Sequence, residues 1–113
     1  MNSGQWGEKR ACTYLKWHGY GIAETNFRCR QGEIDIIAEN GSFLVFAEVK
    51  LRKNADFAEA KEFVHPAKQR RLIAAANIWL SHNETGKQPR FDVIEIYTED
   101  GIRINHLINA FEG

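Results

Sequence analysis

The 113-residue sequence has only two cysteines, two prolines and one methionine, and no excess charge of either sign. Cys12 and Cys29 form no C-x-x-C pair and have no histidine at ligand spacing. This argues against a disulfide scaffold or structural zinc and fits reduced, half-buried thiols. Lys plus Arg and Asp plus Glu each number 15 and cancel to a formal net charge of +0. The chain is therefore neither a basic tail that coats nucleic acid nor an acidic disordered segment, and any charge-driven function must come from local arrangement. No apolar run approaches the ~18 residues of a membrane span. The segment Met1 to Arg10 lacks the apolar core of a secretory signal, so a cytoplasmic protein with no membrane partner is expected. There is also no repeat, low-complexity tract or Pro/Gly/Ser linker, although Lys53 to Glu62 is polar enough for a mobile loop.

What is present suits a single domain over residues 1–113, with 43% apolar and 27% charged residues. At this size folding buries roughly two-thirds of the surface that the unfolded chain exposes, so one core suffices without metal or disulfides. Trp6, Ala11, Tyr14, Leu15 and Trp17 recur at helical spacing from Ser3 to His18, with Gly19 placed to stop the helix. Tyr20 to Arg28, Glu33 to Glu39 and Ser42 to Arg52 read as strands, the last two joined by the hairpin signal Asn40-Gly41. Pro66 opens a second helix with Leu72, Ile73, Ala76, Trp79 and Leu80 on its apolar face, ending near His82. Turn residues from Asn83 to Pro89 precede strands at Phe91 to Tyr97 and Ile102 to Ile108. The order αβββαββ, with a crossover through the second helix, predicts an α/β (α+β) fold whose mixed central sheet is flanked by helices.

A two-residue Asn40-Gly41 turn pairs Glu39 with Ser42, Asp35 with Phe46 and Glu33 with Glu48. Alternation then places Glu33, Asp35 and Ile37 on one face with Leu44, Phe46, Glu48 and Lys50. The opposite face carries Ile34, Ile36, Ala38, Phe43, Val45, Ala47 and Val49. Asp35 and Glu48 become diagonal neighbours about 7 to 8 Å apart at the backbone, within reach of one small cation. Oxygen-only ligands favour Mg²⁺ or Mn²⁺, which would polarise a phosphate and activate water while Lys50 orients that water or meets developing negative charge. Spacing alone also fits a solvated sheet face with ordinary cross-strand ion pairs, and leaves both readings open.

Ile34-Asp35, twelve residues, then Glu48-Val49-Lys50 resembles the PD-(D/E)XK signature of restriction-endonuclease-like nucleases, with Ile34 in place of the proline. The match continues through Gly4-Gln5, Gly7-Glu8 and Ala11, Asn26 and Arg28, Gly32 to Ala38, Val45 to Arg52, Lys68 to Leu72 and Arg90 to Ile94. Over nearly the whole chain it is similar to the YraN-type family of small bacterial proteins, classed with endonucleases and related to archaeal Holliday-junction resolvases. The resemblance implies a restriction-endonuclease-like αβββαβ core and a metal site of Asp35, Glu48 and the Val49 carbonyl. It also implies Glu8 as the helix-one acid completing that site, Lys50 as the catalytic lysine, and Lys68 and Gln69 near the site or the phosphate. Ala58 departs from the glycine expected in the loop before the second helix.

Arg28, Arg30, Arg52, Lys53, Lys68, Arg70 and Arg71 cluster in sequence around the acids and, with Gln69, form the expected nucleic-acid-binding set. Trp6, Trp17 and Trp79 have core-like spacing, Asp92 reads as structural, and His18, His65, His82 and His106 read as capping or surface residues. The expected function is a metal-dependent endonuclease on structured or branched DNA, with DNA ahead of RNA. The alternative is a nucleic-acid-binding module that keeps the fold without cutting. The analogy to two-fold resolvases leaves room for a homodimer.

Overall fold

A computed structural model describes residues 2–53 and 65–113. Its elements are α1 (Ser3–Trp17), β1 (Gly21–Cys29), β2 (Gly32–Glu39), β3 (Phe43–Arg52), α2 (Pro66–His82), β4 (Gln88–Tyr97) and β5 (Arg103–Phe111), in the expected αβββαββ order. The five strands lie in the order β1-β2-β3-β4-β5. All neighbours are antiparallel except β3 and β4, which run parallel. A parallel pair needs a crossover, and α2 lies within it. The result is an α+β fold with a mixed sheet and a helix on each face.

Asn2 starts α1 through a capping box: its side chain accepts from the Gln5 N–H, and the Gln5 side chain accepts from the Asn2 N–H. Gly19, at φ +87, takes the left-handed conformation that ends the helix. Gly7, Ala11 and Leu15 form the buried stripe of α1. They pack on one face of the sheet, where Ala11 and Leu15 meet Ile36, Ala38, Val45, Ala47, Ile94 and Ile96. Leu72, Ala75, Ala76 and Trp79 of α2 cover the other face against Ile34, Ile37, Leu44, Phe46 and Phe91. Trp17, expected in the core, is 83% exposed because it falls outside the stripe. Trp79 is buried, and its indole N–H donates to Glu24 Oε1 at 2.9 Å.

The hairpin between β2 and β3 corrects the expected register. Glu39 pairs with Leu44, Ala38 with Val45, Ile37 with Phe46 and Ile36 with Ala47. Asn40 is the first corner of the turn and not a central residue. Its Oδ1 accepts the N–H groups of Ser42 and Phe43 at 2.9 and 2.8 Å, and its own N–H donates to the Phe43 carbonyl. Neither Asn40 nor Gly41 has the positive φ that a type I′ turn requires. The register therefore moves by two residues, which preserves the side-chain faces where the strands pair.

The remaining element boundaries differ by small amounts. β4 begins at Gln88 and includes Pro89, in place of the expected start at Phe91. A proline is accepted here because it stands second in its strand, before pairing with β5 begins at Phe91. Cys12 and Cys29 are free and half-buried, and among the described residues no helix is long and apolar enough to cross a membrane. Residues 54–62 of the polar stretch, Ala58 included, lie outside the described residues.

Candidate active site

β2 pairs with β3 only from Ile36 to Glu39, whereas β1 follows β2 as far as the Cys29–Gly32 pair. The first half of β2 therefore parts from β3, and the two strands fork at Asp35 and Glu48. The last pair, Ile36 with Ala47, stands one position before Asp35 and Glu48, so the two residues do not pair in the ladder. At the fork the Asp35 side chain replaces the missing ladder acceptor, its Oδ2 accepting the Val49 N–H at 2.8 Å. A buried N–H left unpaired there would cost about 1–3 kcal/mol, so the backbone itself holds this carboxylate in place.

Side-chain alternation breaks at the same point. Ile34 packs into the core under α2, while Ile36 and Ala38 pack under α1. Asp35 lines a cleft of about 120 Å³ with Gly7 and Glu8 of α1 and Val49 and Leu51 of β3. Glu48 points to the α2 side, where the Lys68 ammonium lies 2.7 Å from its Oε2. The expectation that Asp35 and Glu48 share one sheet face is thus corrected: they meet at the fork from opposite sides. The break falls where the pairing of β2 with β3 ends, at Ile36.

Glu8 reaches the cleft from α1 and is positioned by Asn26, whose Nδ2 donates to Oε1 at 2.8 Å. Asn26 sits in β1 at φ 54, a left-handed conformation that asparagine tolerates better than most residues. Burial and then the charge of Asp35 push the Glu8 carboxyl above its ordinary value, against the Asn26 hydrogen bond. Burial and then Asp35 do the same to Glu48, outweighing the hydrogen bond and charge of Lys68. The Lys68 ammonium is held protonated beyond its usual range. Burial opposes this, but the hydrogen bond and charge of Glu48 prevail, with smaller contributions from Asp35 and Glu33.

Among the described residues, no three His, Cys, Asp or Glu side chains are grouped as a ready-made cage. The expected trio divides: Glu8 and Asp35 share the cleft with Val49, and Glu48 stands across the fork. Mg²⁺ seldom uses an all-protein cage. It keeps several waters and takes one or two carboxylates plus substrate phosphates. Two carboxylates in a small cleft, a third opposite and mutual charge strain are a donor set that fits Mg²⁺ or Mn²⁺.

Lys50 is half-buried on the Glu48 side of β3 and pairs in register with Glu95. The Glu95 carboxylate is already engaged by Arg52 at 3.1 Å, Asn105 at 2.8 Å and the Tyr97 hydroxyl at 3.2 Å. Among the described residues Lys50 has no hydrogen-bond or ion-pair partner, which leaves its ammonium available to the fork. Arg52 is 13% exposed in its ion pair with Glu95. That burial gives it a structural tie within the sheet. Arg28, Arg30, Lys53, Arg70 and Arg71 are exposed, and Gln69 is half-buried in the second turn of α2.

A buried polar group that no sequence motif marks surrounds Asp92. Arg90 donates to both Asp92 oxygens at 2.9 and 2.8 Å and to the Tyr20 hydroxyl at 2.7 Å. His106 Nε2 lies 2.7 Å from Asp92 Oδ2, its Nδ1 lies 3.1 Å from the Tyr14 hydroxyl, and Asn109 donates its N–H to Asp92 at 3.0 Å. His106 is therefore an internal partner and not a surface histidine. No spacing rule could have found it, because its partners, Tyr14 and Asp92, come from α1 and β4.

Several known proteins resemble the chain along most of its length. The model of the uncharacterised protein family UPF0102 matches residues 7–96, which include both prongs of the fork and Glu8. A UPF0102 protein of Pelobacter propionicus is 47% identical over 116 residues, covering 98% of this chain and 83% of the relative. One from Caldanaerobacter subterraneus is 42% identical over 113 residues, covering 96% and 93%. Another from Herminiimonas arsenicoxydans is 44% identical over 109 residues, covering 96% and 86%. With the model and these relatives in agreement, the chain belongs to UPF0102, the YraN family whose motifs its sequence carries.

Proposed function

We propose that the protein is a Mg²⁺- or Mn²⁺-dependent endonuclease that hydrolyses phosphodiester bonds in structured or branched DNA. The observation that carries the proposal is the fork, where Asp35 and Glu8 line one cleft and Glu48 and Lys50 lie on the other side of β3 just past its last pair with β2. Glu8, Asp35 and Glu48, with the Val49 carbonyl, would hold the ion. When bound, such an ion polarises the phosphate and makes its water a nucleophile at neutral pH. Asp35 is pre-oriented by the Val49 N–H and Glu8 by Asn26, so little reorganisation is needed. Lys50 brings its ammonium to the phosphate, where it orients the attacking water or meets the charge that develops on the phosphate oxygens. Lys68 holds Glu48 in place and opposes the upward push of burial and Asp35 on its carboxyl.

Purified protein with Mg²⁺ or Mn²⁺ is expected to nick junction or flap DNA within a panel that also holds linear duplex, single strands and RNA. Asp35→Asn should abolish cutting, and Lys50→Met should slow it by about a hundredfold or more, the usual cost of losing one preorganised electrostatic group. Cutting that is absent from every substrate, or that survives both substitutions, would reject the assignment. The separation of Glu48 from the Glu8–Asp35 cleft favours a second function, nucleic-acid binding without cleavage. That alternative would show as affinity, without metal and unchanged in Glu48→Gln, from a protein that cuts none of the panel with Mg²⁺ or Mn²⁺.

A further inference from the structure

Next to the fork, the end of β1, the start of β2 and the first turns of α2 enclose a second cleft of about 350 Å³. Arg28, Lys68 and Arg71 supply three cations to its lining, Glu33 one carboxylate, and Cys29 and Leu72 apolar surface. Glu33 is 3.4 Å from the Arg28 guanidinium, but both side chains are more than half exposed, at 56% and 74%. Such an exposed pair holds its partners weakly and leaves the arginine free to take a stronger anion. Arg71 is exposed and has no ion-pair partner among the described residues. The base of its side chain is nevertheless fixed. A Cβ built on Gly32 would lie 2.7 Å from the Arg71 carbonyl, so β2 and α2 touch backbone to backbone at this wall. Lys68 belongs to both places, lining the cleft and contacting Glu48.

We propose that this cleft is a phosphate subsite for an unpaired nucleotide next to the bond held at the fork, an inference that rests on the nucleic-acid function proposed above. With Lys68 held by Glu48 and Arg28 only weakly by Glu33, Arg71 and Arg28 are the cations open to an anion, and guanidinium groups match phosphate geometry in a bidentate way. The apolar patch of Cys29 and Leu72 suits the sugar or base edge of that nucleotide. The volume is at the small end of ligand sites, with room for one nucleotide but not a base pair. A strand crossing Lys68 therefore leaves the acidic fork and enters a basic cleft. This favours substrates with a single-stranded segment at the cleavage point.

The test is the binding of short fluorescein-labelled oligothymidine, single-stranded or annealed to its complement, in EDTA across a salt series. Arg71→Gln and Arg28→Gln are each expected to weaken single-strand binding about tenfold, as loss of a charge-assisted contact would. Each should lower the slope of log affinity against log salt by about 0.7, the release expected for one single-strand phosphate. Duplex binding should change little. Arg10→Gln is the control, since that side chain lies over the Trp6 ring on α1. Unchanged single-strand affinity and slope, or equal losses on duplex, would overturn the subsite. The subsite also fails, with the endonuclease assignment intact, if Arg71→Gln binds normally while Glu48→Gln no longer cuts. If Glu48→Gln still cuts while Arg71→Gln loses single-strand affinity, the subsite stands and the assignment of Glu48 fails.

Discussion

Asp35 is a catalytic candidate whose carboxylate also completes the backbone at the strand fork. Its Oδ2 takes the Val49 N–H, so the same atom that orients the acid also satisfies a donor the ladder leaves unpaired. Asp92 has the opposite function: fully buried, it receives Arg90, His106 and the Asn109 N–H and has no exposed oxygen to offer a ligand. Burial would raise its carboxyl, but the hydrogen bonds from His106 and Arg90 prevail and hold it below the ordinary value of 3.8. A lowered acid stabilises the fold above its unfolded value, and that contribution is lost as pH falls through the folded value. Asp92→Asn is expected to cost about 3–5 kcal/mol in urea unfolding at pH 7, because Arg90 is left buried without its counter-charge. Stability of the wild type should fall steeply only below about pH 4, and the variant should lose much of that dependence. A loss under about 0.5 kcal/mol, the range of ordinary surface changes, would contradict the structural role of Asp92.

At the scale of elements, the fork exists because β2 is held by β1 along its whole length but by β3 along only half of it. The free half is braced from the other side by α2, through the contact of Gly32 with the Arg71 carbonyl. Gly32→Ala should force these backbones apart, with an overpacking cost of about 1–3 kcal/mol, and weaken single-strand binding through displacement of Arg71. Unfolding in urea and the oligothymidine assay measure the two effects; wild-type values in both would show that the contact does not position the cleft wall. Element order was legible because Gly19, Pro66 and the alternating strands mark boundaries locally. The register was not, because asparagine before glycine can serve as a left-handed central residue or as a side-chain acceptor at the first corner, and Asn40 is the latter. The face of Asp35 was illegible for a deeper reason. Period-two alternation assumes continuous pairing, and the end of β2–β3 pairing is set by the whole sheet.

For the whole molecule, equal numbers of positive and negative charges resolve into an ordered arrangement. Glu8 and Asp35 share one cleft, Glu48 stands across the fork against Lys68, and Arg28 and Arg71 line the adjoining cleft with Lys68. Sequence clustering groups these cations together, and the structure places them differently. Arg52 is tied to Glu95 inside the sheet, while Arg28 and Arg71, far apart in sequence, line one cleft. Burial and Asp35 push the carboxyls of Glu8 and Glu48 up, a charge strain that a divalent ion would relieve. Mn²⁺ soaked into crystals of the protein and located by anomalous scattering tests that relief directly. The expected result is one ion at the fork, about 2.0–2.3 Å from oxygens of Asp35 and at least one of Glu8 and Glu48, with Lys68 withdrawn if Glu48 is a ligand. Crystals that show no ion at the fork at millimolar Mn²⁺, or an ion bound only by surface carboxylates elsewhere, would contradict the metal centre on which the endonuclease proposal depends.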